Sequence, residues 1–110
     1  MAAWLTVELV AAYLDLPGDV SGDDNLATST AAVKAAVERR RSDLQLTVVD
    51  AIAPDDVLAG SIMWAGLLYQ TRNSPSGFTG FGDETMIYDA LGARRAEVMR
   101  LIGWRRPVAV

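Results

Sequence analysis

The chain is predicted to be all-α, a small four-helix bundle with a long Gly/Phe loop before the last helix and an extended C-terminal tail. Three observations predict this. Apolar residues recur at steps of three and four in four separate stretches. Each stretch is bounded by capping or helix-stopping residues. Only one stretch alternates as a strand would, and it has no second strong strand to pair with.

The first helix is expected to start after Thr6, a suitable N-cap, with Glu8 in its first turn. Leu5, Leu9, Tyr13 and Leu16 fall at steps of four, four and three and form its expected apolar stripe. Pro17-Gly18 should stop it. The polar turn that follows, Asp19 to Asn25, is rich in oxygen but lacks the spacing and terminal glutamate of a calcium loop, so it is read as a capping turn.

A second helix should run from about Asp24 or Asn25 to Arg41. Leu26, Thr30, Val33, Val37, Arg40 and Leu44 form its seam, and five alanines permit close approach. Arg39, Arg40 and Arg41 sit where cations favour the helix dipole. Leu44 to Ile52 then alternates as either a short strand or an extended connector.

The hub is Pro54 to Arg72, PDDVLAGSIMWAGLLYQTR. Pro54 suits a first helical position, and Asp55 and Asp56 put negative charge at the helix start. Val57 to Thr71 carries no charge. Leu58, Ile62, Ala65, Tyr69 and Arg72 share one face, but Val57, Trp64, Leu67 and Leu68 are apolar elsewhere. A helix apolar nearly all round is central, membrane-spanning or buried by partners. A span needs about 20 apolar residues, and this run is shorter and broken by Gly60, Ser61 and Gly66. It is therefore read as the centre of the bundle, with Leu58, Ile62, Leu68 and Tyr69 in the core. Trp64 and Leu67 are expected to face a neighbouring subunit.

Beyond Arg72 the Asn73-Ser74-Pro75-Ser76-Gly77 break opens a loop with Phe78 and Phe81, whose glycines match neither a Walker loop nor a dinucleotide turn. The two phenylalanines either fold back onto the core or dock on a partner, and docking is the favoured expectation. The last helix should begin near Asp83-Glu84 or Asp89, bury Ile87, Leu91, Val98 and Leu101 or Ile102, and end at Gly103 with Trp104 closing back on Met99. Residues 1–104 then form the helical domain. Residues 105–110, from Arg105 and Arg106 through Pro107 to Val110, form a tail suited either to a frayed end or to an arm on a neighbouring protein.

The composition narrows function. The 110 residues contain no cysteine and no histidine, which excludes disulfides, thiolate zinc sites and His- or Cys-based catalytic sets. Carboxylate pairs such as Asp23/Asp24 and Asp55/Asp56 sit at helix starts, where capping explains them. No enzymatic activity, cofactor or metal is expected. The net charge of −4 argues against wrapping DNA or binding an anionic membrane. That charge is uneven. Residues 1–38 hold six acids against Lys34 alone, and residues 90–110 hold five arginines against Glu97 alone. An acidic front and basic end suit head-to-tail subunit contacts, or simply a solvated acidic surface with arginines near a helix end. The opening MAAWLTVELV lacks the basic region of a secretory leader, so synthesis and assembly in the cytoplasm are expected.

Taken in order, VELVAAYLDLPGD, DDNLATSTAAVKAAVERR, the proline-started helix ending in LLYQTRNSPSG, a glycine-containing loop and ALGARRAEVMRLIGW resemble the head–tail connector (adaptor) proteins of long-tailed bacteriophages. The most specific piece is Leu68-Tyr69 with Arg72, Ser74 and Gly77. The resemblance implies a helical subunit of a ring, commonly a dodecamer, at the head–tail junction of a virion. The ring would bind the portal protein on one side and a tail-completion or stopper protein on the other, and DNA would pass through without specific binding. Portal or subunit contacts are expected at Trp64, Leu67, Phe78, Phe81, Trp104, Arg105 and Arg106. The alternatives are a small helical DNA-binding regulator using Arg39–Arg41 or the C-terminal arginines, and an intracellular interaction module.

Overall fold

The computed structural model describes residues 3–16, 18, 22–48, 50–73 and 91–103. Among these lie four α-helices and no strand. They are α1 (Val7–Leu14), α2 (Asp24–Arg40), α3 (Asp55–Asn73) and α4 (Arg95–Ile102). Single 3₁₀ turns, Ser42–Leu44 and Gly92–Arg94, follow α2 and precede α4. The expected all-α bundle is what the chain forms, and α3 packs against each of the other three helices.

The caps explain where the helices begin and end. The Thr6 hydroxyl accepts from the Leu9 amide at 3.3 Å, as the sequence predicts. Leu5 and Val10, the residues flanking that cap in a hydrophobic staple, are both buried. α1 ends before Pro17. Asp15 adopts the left-handed conformation (φ 56°), and the amides of Asp15 and Leu16 bond back to the Ala12 and Ala11 carbonyls in a Schellman closure. α2 is capped by Asp23, whose carboxylate accepts from the Leu26 amide at 3.1 Å. Pro54 lies one residue outside α3 and supplies the carbonyl for the first helical bond, from the Leu58 amide.

α1 presents a different face from the one its spacing suggested. Val10 and Ala11 are buried, Val7 and Leu14 flank them, and Leu9 and Tyr13 lie exposed. The stripe through Leu5, Leu9 and Tyr13 fails because Leu5 precedes Thr6 and is not on the helical lattice. The α2 seam holds as far as Val37: Leu26, Thr30, Val33 and Val37 are all buried, whereas Arg40 is half-buried and Leu44, also half-buried, lies beyond the helix in the 3₁₀ turn.

α3 is apolar all round because three helices of its own chain cover it. Val57, Ser61, Trp64, Ala65 and Leu68 are buried, and Leu58, Ile62 and Tyr69, expected in the core, are half-buried on its flanks. The glycines that seemed to interrupt it mark the closest crossings. A Cβ at Gly60 would lie 2.8 Å from Ile102 Cγ1 and 3.0 Å from Leu101 Cβ on α4. One at Gly66 would lie 3.2 Å from both Tyr13 Cδ2 and Leu14 Cδ2 on α1. Gly60 and Gly66 are about 120° apart around the helix axis, so α1 and α4 occupy different sides of α3.

Two expectations are revised. Leu44 to Ile52 is neither strand nor extended connector. It is a run of tight turns in which Gln45, Val48 and Ala51 donate to Ser42, Gln45 and Val48, with Gln45 and Asp50 left-handed. The last helix does not run unbroken from the eighties to Ile102, because Gly92 (φ 52°) and its 3₁₀ turn set Leu91 apart from α4. Leu91, Val98 and Ile102 are buried as expected, and Gly103 (φ 76°) ends the helix. The calls on Ile87, Trp104, the Gly/Phe loop and the tail fall on residues outside those described.

With Trp64 enclosed, Trp64→Ala should cost about 3–5 kcal/mol of folding stability, read as a lower urea midpoint at unchanged slope. Ser29 presents the opposite sign. It is fully buried on α2 and its hydroxyl has no hydrogen-bond partner among the described residues. Ser29→Ala should therefore raise stability by about 1 kcal/mol in the same assay, since it removes an unsatisfied polar group and favours helix.

Candidate functional site

Of the residues expected at subunit contacts, Trp64 is corrected by the structure. It is 0% exposed at the centre of the core, so no neighbour can reach it in this fold. Leu67 is half-buried, which leaves part of its side chain accessible. Phe78, Phe81, Trp104, Arg105 and Arg106 lie outside the described residues, as does the Arg72 side chain.

Accessible apolar surface lies instead on α1 and on the connection into α3. Ile52 is 90% exposed, Val48 56% and Tyr13 49%. The turns explain the first two. The left-handed residues at Gln45 and Asp50 reverse the chain twice, so Leu46 and Ala53 point inward while Val48 and Ile52 are turned to solvent. Beside Ile52 lies an open cleft of about 310 Å³. Trp4 and Leu58 contribute apolar surface to it, and Asp50 and Asp55 bring carboxylates. The sequence reading missed this cleft. Trp4, ahead of the first cap, and Ile52, just ahead of α3, were the available signals.

Three polar links hold the surrounding frame. Trp4 Nε1 donates to Glu38 Oε2 at 3.0 Å, and the same oxygen accepts from Lys34 Nζ at 2.7 Å. The residues before α1 are thereby tied to α2, and Trp4 is fixed in the cleft. At the other end of α2, Tyr69 Oη donates to Asp23 Oδ2 at 2.7 Å, so one carboxylate caps α2 and anchors α3. Arg41 joins the third pair of elements. Its Nε and Nη2 grip both oxygens of Asp43 at 3.0 and 3.1 Å, and Nη1 donates to the Ile102 carbonyl at the end of α4 at 2.7 Å. Gly103 suits the position by its positive φ, and a Cβ there would displace the Arg41 guanidinium from the Ile102 carbonyl.

Arg41 spends its donors inside the protein, and Arg39 and Arg40 also have interactions within it. Among the described residues no group of three acidic side chains is gathered to hold a metal, and no helix is long and apolar enough to cross a membrane. The geometry offers apolar and carboxylate recognition surface, with Glu8, Asp15, Asp50, Asp55 and Asp56 all exposed. No family model, curated protein or solved structure matches the chain.

The hydrogen bond from Arg41 holds the Asp43 carboxyl below its ordinary value of 3.8, and the same pairing raises Arg41. A carboxyl depressed in the folded state contributes stability that is complete above its unfolded value and is lost as pH falls through the folded one. Asp43→Asn should therefore flatten the decline in stability as pH is lowered below about 3.8, measured by urea unfolding across pH 2–6, and leave the slope above pH 5 unchanged.

Proposed function

We propose that the chain is a structural virion protein, a head-to-tail adaptor whose copies form a ring between portal and tail and extend the channel for DNA. The segments that resemble connector proteins fall on α1, α2, α3 and α4 in the same order, with the Schellman closure of α1 inside the first of them. The observation that carries the reading is the distribution of accessible surface. Apolar side chains and acids are exposed on α1 and on the connection into α3. On another side of α3, the 3₁₀ turn before α4 exposes Arg94, and α4 exposes Arg95 and Arg100. Different, complementary surfaces on one subunit support heterologous contacts, the kind that repeat around a ring. The net charge of −4 suits a conduit, since carboxylates facing a lumen would repel phosphate and let DNA slide. The portal and a tail-completion protein are the proposed partners above and below.

Electron microscopy of the purified chain, alone and with a phage portal, tests this. Closed rings, or a ring of added density on the portal, are expected. A portal that acquires no density contradicts the reading. The Phe78→Ser/Phe81→Ser variant should keep its helical circular dichroism and lose assembly, and normal assembly would remove that loop from the contact.

A further inference from the structure

We propose that the cleft beside Ile52 receives residues 105–110 of a second copy of this chain, a contact that rests on the ring reading and names how its subunits join. The cleft combines apolar surface from Trp4, Ile52 and Leu58 with carboxylates at Asp50 and Asp55. Ile52, at 90% exposure, is the most exposed large apolar side chain among the described residues. The segment Arg105-Arg106-Pro107-Val108-Ala109-Val110 matches it in kind, two fixed cations followed by small apolar side chains. Pro107 restricts its own backbone and that of Arg106, which lowers the entropy lost on docking.

The fold favours a second copy as the donor. Gly60 meets α4, whereas Leu58 lines the cleft. Two residues separate them, which is about 200° around the helix, so α4 and the cleft lie on opposite sides of α3. Residues 104–110 follow directly from the α4 side. Seven residues can extend about 23 Å, enough to reach a neighbour's cleft. Donor and acceptor are then different surfaces on opposite sides of one subunit, and each copy gives to one neighbour and receives from the other.

The test is a charge exchange between full-length chains, followed by sedimentation velocity. One variant carries Asp50→Lys/Asp55→Lys, the other Arg105→Glu/Arg106→Glu. Each alone sets like charges against each other and should associate on the order of 100-fold more weakly than wild type. Their equimolar mixture pairs lysine clefts with glutamate tails and aspartate clefts with arginine tails, and should recover association. If reversal at Asp55 disturbs the first turn of α3, Asp50→Lys/Ile52→Ser leaves that helix untouched and should also abolish association. Either variant assembling alone as wild type does would overturn the contact while leaving the ring itself standing. Recovery only when all four changes share one chain would show the tail in its own cleft, and would also overturn it. A wild-type chain that stays monomeric and does not bind an added peptide of residues 104–110 overturns the contact too, and leaves a portal-templated ring to the microscopy above.

Discussion

Everything in this bundle depends on how closely three helices can approach α3. The helix has no charge between Val57 and Thr71, and it lacks a Cβ at the two places where α4 and α1 cross it. Close approach increases the dispersion contacts made by the side chains around each crossing, and individually small contacts sum to a large stabilisation. Trp64, one turn from Gly60, is wholly enclosed. The glycines weaken α3 as an isolated helix by about 1 kcal/mol each relative to alanine. The packing they permit offsets that, and it gives a chain of this size, which has no cysteine, a core without disulfides.

The polar links serve the same end. Each joins two segments distant in sequence through one short hydrogen bond: Trp4 with Glu38, Asp23 with Tyr69, Arg41 with Ile102. Asp23 accepts on both of its oxygens, from the Leu26 amide and from Tyr69, and Glu38 Oε2 accepts from both Trp4 and Lys34. Arg41 fastens the ends of α2 and α4 while Asp43 neutralises it. The last residue of the arginine triplet, which the sequence places for the helix dipole, is an internal brace.

Much of this architecture was legible in the residues, and the failures have physical causes. Thr6 and Gly103 act through local backbone chemistry, which spacing and residue type reveal. The α2 seam was legible because one partner face decides it. α3 could be seen to be central, but which of its faces was innermost could not. All its faces are apolar, so periodicity carries no contrast, and Trp64 was placed outside when it is the core. α1 misled because Leu5 continues the spacing without being in the helix. Leu44 to Ile52 misled because alternation of side chains is also compatible with turns when residues such as Gln45 and Asp50 take positive φ. The cleft, built by residues some fifty positions apart in sequence, left only its exposed apolar side chains as a trace.

These observations combine into a chain that completes its own core and leaves apolar and charged surface exposed. That distinction separates α3 as an internal hub from α3 as a greasy helix awaiting neighbours. Native-state hydrogen exchange at two protein concentrations a hundredfold apart tests it most directly. The account predicts that the amides from Ser61 to Leu68 exchange slowest, only through global unfolding, and equally at both concentrations. Exchange of those amides that is fast in the dilute sample and slows with concentration would show that neighbouring copies, rather than α1, α2 and α4, bury the helix.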